Sequence, residues 1–140
     1  MSACIFCDIA AKKAPASIVY EDDVVVAFMD LFPINPGHTL VVPKQHFARV
    51  TDVDDATAAR MMAVARDIAA AIYRSPIRAE GVNLTLADGA AAGQEVPHAH
   101  LHVIPRFRGD GFRCTRAGGL RQASRAQLEE KATLLRKAME

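Results

Sequence analysis

The sequence predicts an α+β domain: a mainly antiparallel five-stranded sheet, one long core helix and a C-terminal helix. Three observations lead there. Short apolar, β-branched runs crowd the first third of the chain. A single long helical pattern then interrupts them, and two more strand-like runs follow. The order strand, strand, strand, helix, strand, strand, helix lacks the regular alternation of a doubly wound sheet.

Residues 18–21 and 24–30 are apolar runs parted by Asp22-Asp23, which reads as a hairpin. Phe32-Pro33-Ile34-Asn35-Pro36-Gly37 holds two prolines and a glycine and marks a loop, after which residues 38–43 read as a third strand. Asp54 and Asp55 stand where a helix N-terminus favours negative charge. Met61, Val64, Ala65, Ile68 and Ile72 follow at helical spacing as one apolar stripe, and Ser75-Pro76 closes the helix. Residues 81–87 and 98–104 read as two further strands, joined by the turn-rich Asp88-Gly89-Ala90-Ala91-Ala92-Gly93. Ala, Leu, Glu, Lys and Arg predict a last helix over 124–139. No repeat or linker divides the chain. One domain over residues 1–140 is expected, with its core at about 4–106 and a basic extension at about 107–140.

Of the 140 residues, 51% are hydrophobic and 24% charged, the composition of a globular domain. Seventeen basic residues against sixteen acidic give a charge of +1, which argues against a protein that coats nucleic acid. A small phosphorylated ligand, needing only a few well-aimed donors, stays compatible. No apolar run approaches the roughly 20 residues of a membrane helix, and the N-terminus lacks the basic start and apolar run of a signal peptide. The three cysteines therefore read as reduced thiols, and a cytoplasmic location is expected, with no membrane partner.

Three of the five histidines lie in the run His98-Ala99-His100-Leu101-His102. On a strand these side chains alternate, so the imidazoles would share one face while Ala99, Leu101 and Val103 enter the core. Such a row suits a metal site, or nucleophilic catalysis on phosphorus in which one imidazole attacks and its neighbours manage protons. Gly93-Gln94-Glu95-Val96 just before it offers a flexible glycine, a neutral side-chain donor and successive backbone amides for phosphoryl oxygens.

The stretch from Gly93 to Arg106, with His-φ-His-φ-His-φ-φ at its centre (φ apolar), resembles the signature of the histidine-triad family. Further matches are Ile5-Phe6-Cys7-Asp8-Ile9, Ala27-Phe28-Met29-Asp30 and Val41-Val42-Pro43-Lys44-Gln45-His46, so the resemblance spans most of the chain. It implies a nucleotide-binding hydrolase cleaving nucleoside 5′-phosphoramidates, adenylylated amines or dinucleoside polyphosphates. His100 would be the nucleophile and would carry a nucleotidyl intermediate. His102 would contact the phosphate, Gln94 would sit near the bridging or leaving atom, and the amides of Glu95 and Val96 would assist. Asp30 would hold the ribose hydroxyls, His38 would support the wall of the site, and Asn83 would face it. A purine nucleotide, with adenosine favoured, and a homodimer are the implied partners. One departure stands out: the family often has Asn or Gln at the position of Ala87, and alanine cannot reach a phosphate.

Cys4 and Cys7 form a Cys-x-x-Cys, half of a tetrahedral zinc site, for which His46 and His98 are candidate partners once the sheet folds. The alternative is a pair of buried thiols without metal. The resemblance favours a structural zinc on this set, which leaves His100 available and requires no catalytic metal. Cys114 reads as a bystander. Six arginines between Arg106 and Arg125 face Asp110 alone, either a solvated segment or a rim that attracts phosphate. Two other readings compete with an enzyme acting through His100. In one the triad chelates a catalytic ion; in the other the chain binds nucleotides with weak or no catalysis.

Overall fold

The computed structural model describes residues 3–140, and its elements run as α1 (Ile5–Ala10), β1 (Ile18–Glu21), β2 (Val25–Met29), β3 (Thr39–Pro43), α2 (Asp55–Arg74), β4 (Gly81–Thr85), β5 (Leu101–Arg106) and α3 (Arg125–Ala138). All five strands pair antiparallel in one sheet, in the order β1-β2-β3-β5-β4. The α+β architecture is thus the one the sequence predicts, with one addition. Helix α1 has no counterpart in the predicted order. Its six residues are too few to show a helical period, and its N-cap is a sulfur: Cys4 Sγ accepts from the Cys7 amide at 3.5 Å.

The period-two alternation of the strands splits their apolar side chains between two layers. Val25, Ala27, Val41, Leu101 and Val103 pack against Met61, Val64, Ala65, Ile68 and Ile72 of α2. All five stripe residues of α2 are buried, and Met61, Val64, Ile68 and Ile72 each contribute about 2 kcal/mol on burial. Asp54 caps this helix by accepting from the Thr57 amide at 3.1 Å. On the opposite face Val26, Phe28, Leu40 and Val42 pack against Phe6 and Ile9 of α1. His102 pairs with Leu40 across β3 and β5, which places it on that second face, on the α1 side of the sheet.

Strand β5 starts at Leu101, three residues later than the histidine pattern predicted, and runs on to Arg106. Beyond Pro97 the backbone is turned: the His98 amide donates to the Val96 carbonyl at 2.8 Å and the Ala99 amide to the Phe47 carbonyl at 2.7 Å. His98 and His100 therefore precede the ladder instead of extending it, although Ala99, Leu101 and Val103 enter the core as expected.

The chain divides into two compact units between Asp110 and Gly111. Asp110 anchors the end of the first through both oxygens to Arg106 at 2.7 and 2.8 Å. The second, Gly111–Glu140, contains α3, which opens on a capping box between Ser124 and Gln127. None of the α3 side chains is buried. No helix among the described residues is long and apolar enough to cross a membrane.

Candidate active site and metal-ligand cluster

The loop between β2 and β3 delivers His38 to the sheet. Gly37 has φ +97°, and a Cβ there would stand 2.9 Å from Ile77 and 3.0 Å from Pro105, so the position favours glycine. The His38 ring is buried and its two nitrogens are both committed. Nδ1 accepts from the Ile34 amide at 3.0 Å, so the ring proton sits on Nε2. That proton points at His102 Nδ1, 2.9 Å away, with Asp30 Oδ2 at 3.5 Å. His102 in turn carries its own proton on Nε2. Both rings are neutral at pH 7: burial holds His38 below the ordinary imidazole value, and burial, with His100 and His38 beside it, pushes His102 down to about 4.

His100 is 6% exposed, and its Nδ1–H donates to the His98 carbonyl at 2.7 Å. Its Nε2 lone pair is left as the reactive face of the ring. The Phe6 ring meets His100 edge-on at 5.1 Å, and the His102 ring lies 4.9 Å off on the other side. Both histidines open onto a cleft of about 750 Å³. Asp30 lines it near His38, and Asp30 Oδ1 accepts from the Phe32 amide at 2.8 Å. Leu31 and Phe32, each 88% exposed, give the cleft an apolar, solvent-facing wall.

A second cluster lies behind the first. His98 is fully buried, and its Nε2–H donates to the Pro43 carbonyl at 2.8 Å, which turns the bare Nδ1 toward Cys4 and Cys7. Cys4 Sγ is 3.3 Å from His98 Nδ1, and Cys7 Sγ is 3.3 Å from His46 Nδ1 and 3.6 Å from His98 Nδ1. The two Nδ1 atoms are 3.2 Å apart. A tetrahedral zinc with its usual bond lengths spaces a sulfur and a nitrogen by about 3.6 Å and two nitrogens by about 3.3 Å. The four donors therefore stand as they would around one ion. Burial, with Cys4 beside it, raises the Cys7 thiol to about 11, a proton that a bound cation would displace.

Asp30, His38 and His102 also bring donor atoms close together. Here the short 2.9 Å contact between His38 Nε2 and His102 Nδ1 is a hydrogen bond, tighter than two nitrogens on one ion, and His38 Nδ1 is already used. These three side chains are arranged as a hydrogen-bonded chain.

The model of the HIT domain, the histidine triad, matches residues 11–109. The chain belongs to the HIT family. It is 45% identical over 128 residues to a HIT-like protein of Borreliella burgdorferi, covering 90% of this chain and 87% of that one. A Zn-bound histidine-triad protein from Mycobacterium smegmatis superposes with a TM-score of 0.76 at 44% identity, over 81% of this chain and 82% of its own. A HIT-family member from Bacillus subtilis gives 0.86 at 36% identity, over 97% and 96%.

Within this HIT chain, His38, His100, His102 and Asp30 gather at one cleft, and Glu95 and Val96 line it with them. Two predicted residues stand elsewhere. The Gln94 amide braces its own loop: Oε1 accepts from the Gly89 amide at 2.7 Å, and Nε2 donates to the carbonyls of Ala48 at 2.9 Å and Val96 at 3.0 Å. Asn83 shares a sheet face with His102 but is exposed, two positions along, and accepts from Arg106 at 2.6 Å. Phe6 has a place at the site that the sequence reading did not give it, wedged against both His98 and His100. Its position between two candidate zinc ligands was the available signal.

Proposed function

We propose that the protein is a nucleotide hydrolase in which His100 Nε2 attacks the 5′-phosphorus of a nucleoside phosphoryl compound. The observation that carries this reading is the hydrogen bond from His100 Nδ1 to the His98 carbonyl, which fixes the tautomer and bares Nε2 toward the cleft. As Nε2 bonds to phosphorus, the leaving group departs with the electron pair of its bond and takes a proton from solvent. His100 then carries the nucleotidyl group, its positive charge shared through Nδ1–H with the carbonyl. Water attacks phosphorus next and gives up a proton to solvent, the P–N electron pair returns to Nε2, and a nucleoside monophosphate leaves.

The neighbours serve the charge that develops on the phosphoryl oxygens. His102 offers Nε2–H, because Nδ1 is occupied by His38, and the amides of the cleft-lining Glu95 and Val96 add donors. Asp30 is placed to accept from ribose hydroxyls, and Leu31 and Phe32 offer a wall for a purine, with adenosine the favoured base. Gln94 contributes by holding the loop of Glu95 and Val96, and Asn83 by orienting Arg106.

Cys4, Cys7, His46 and His98 would hold zinc, which would tie α1 to the approach of β5 as a closed structural site. The zinc named in the M. smegmatis relative supports this assignment. The reading also takes Gly111–Glu140 as an extension of a single HIT domain and includes a homodimer, for which the sheet edge at β4 is exposed at Asn83, Leu84 and Thr85.

The test is incubation with an adenosine 5′-phosphoramidate, following AMP release and the intact mass of the protein after a non-acid quench. AMP release that disappears in His100→Ala, with an adenylate trapped on the native chain, is the expected result. Equal release from the variant would overturn the reading.

A further inference from the structure

The cleft contains no lysine or arginine among its described lining residues. Its ionisable groups are two carboxylates, Asp30 and Glu95, and the imidazoles of His38, His100 and His102. Burial lowers the proton affinity of His38 and His102, so neither supplies a fixed positive charge. Asp30 is engaged, through the Phe32 amide and His38. Glu95 is different. It lines the same cleft as His100, is exposed, and has no hydrogen-bond or ion-pair partner among the described residues.

A dinucleoside polyphosphate would bring several negative charges to a mouth that carries a carboxylate and no cation. A leaving group with positive charge would meet its complement there, at a site whose apolar walls strengthen the attraction. We propose that Glu95 is a specificity-determining residue that selects a cationic leaving group, an amine joined to phosphorus through a P–N bond and positively charged at its far end. The proposal rests on the reading of His100 as nucleophile but concerns a different side chain.

Three adenosine 5′-phosphoramidates with tails of equal length ending in ammonium, hydroxyl or carboxylate provide the test. The expected order of kcat/KM is ammonium, hydroxyl, carboxylate, with about tenfold between the extremes, the product of one exposed attraction and one exposed repulsion. In Glu95→Gln the ratio falls close to one, in Glu95→Lys it inverts, and in Glu95→Asp it persists. In 1 M salt the native ratio shrinks, because the screening length drops to about 3 Å. A purely structural Glu95 would lower all three substrates together and leave the ratio intact. A native ratio at or below one, or a Glu95→Gln variant that keeps it, overturns the proposal. Calorimetric binding of the same compounds separates the two ideas. Charge preference in binding without turnover would overturn the role of His100 and keep that of Glu95. No preference in binding or turnover would overturn the role of Glu95.

Discussion

His98 and His100 stand two residues apart and use opposite nitrogens of the same kind of ring. His98 spends Nε2–H on the Pro43 carbonyl and turns Nδ1 toward two sulfurs and His46. His100 spends Nδ1–H on the His98 carbonyl and turns Nε2 toward the cleft. Neither role follows from the residue type. Each is set by which backbone carbonyl takes the ring proton, and those carbonyls are fixed by the end of β3 and by the turned backbone ahead of β5. A ring that faces the Cys/His donors and a ring that faces the cleft therefore share one five-residue run without competing.

Variants separate the two clusters in opposite directions. His100→Ala is expected to cost about 10⁶-fold in turnover, the size found when a nucleophile is removed, while zinc per chain, read by mass spectrometry, is unchanged. Unaltered turnover, or loss of zinc together with activity, would erase the distinction. Cys7→Ser, or removal of zinc by a chelator, is expected to act on stability. With free zinc at 100 to 1,000 times Kd, the bound ion adds about 3 to 4 kcal/mol that the variant lacks, visible as a lower urea midpoint. A variant of native stability would show that the Cys and His donors are a thiol pocket and not an ion site.

The next contrast is in pH. An imidazole in the unfolded chain titrates near 6.5, whereas His102 in the fold titrates at about 4. Between these values the unfolded chain binds more protons, so stability rises with pH there and is lost as pH falls from 6.5 toward 4. The His102 share of that loss is on the order of 2 to 3 kcal/mol, and His38 adds to it in the same direction. Urea midpoints taken across the window in native protein and His102→Gln measure it, and the variant should show a flatter profile. An equally steep profile in the variant would move the acid sensitivity to the other cluster. Smallest is Gly37→Ala, at about 1 to 2 kcal/mol, since the left-handed backbone and the contacts with Ile77 and Pro105 both resist a Cβ. It should weaken nucleotide binding and leave zinc content alone.

Much of this arrangement is legible in the sequence. The stripe from Met61 to Ile72 repeats over a twenty-residue helix, long enough for its period to be unambiguous. The Cys-x-x-Cys marks half of a tetrahedral set, but spacing alone does not choose among five histidines; the family resemblance points to His46 and His98, and the fold brings their Nδ1 atoms within 3.3 Å of the sulfurs. Helix α1 was not legible: Ile5, Phe6 and Ile9 fit a helix or a strand over so few residues, and a cysteine is an uncommon cap. Gln94 and Asn83 illustrate a different limit. An amide side chain goes wherever a nearby backbone group or guanidinium needs a partner: Gln94 adds to its local bonds with Gly89 and Val96 one to Ala48, 46 positions away, and Asn83 meets Arg106, 23 positions away. The bend that takes His98 off the strand likewise depends on a carbonyl from a distant segment, that of Phe47.

The most direct test of the opposed rings is the nitrogen-15 correlation spectrum of the histidine side chains of the zinc-loaded protein at pH 7. The account predicts His100 protonated at Nδ1 and bare at Nε2, and His98 protonated at Nε2 with Nδ1 carrying the shift of a metal-bound nitrogen. A His100 protonated at Nε2 would contradict it, because the ring would then have no lone pair facing the cleft with which to attack phosphorus.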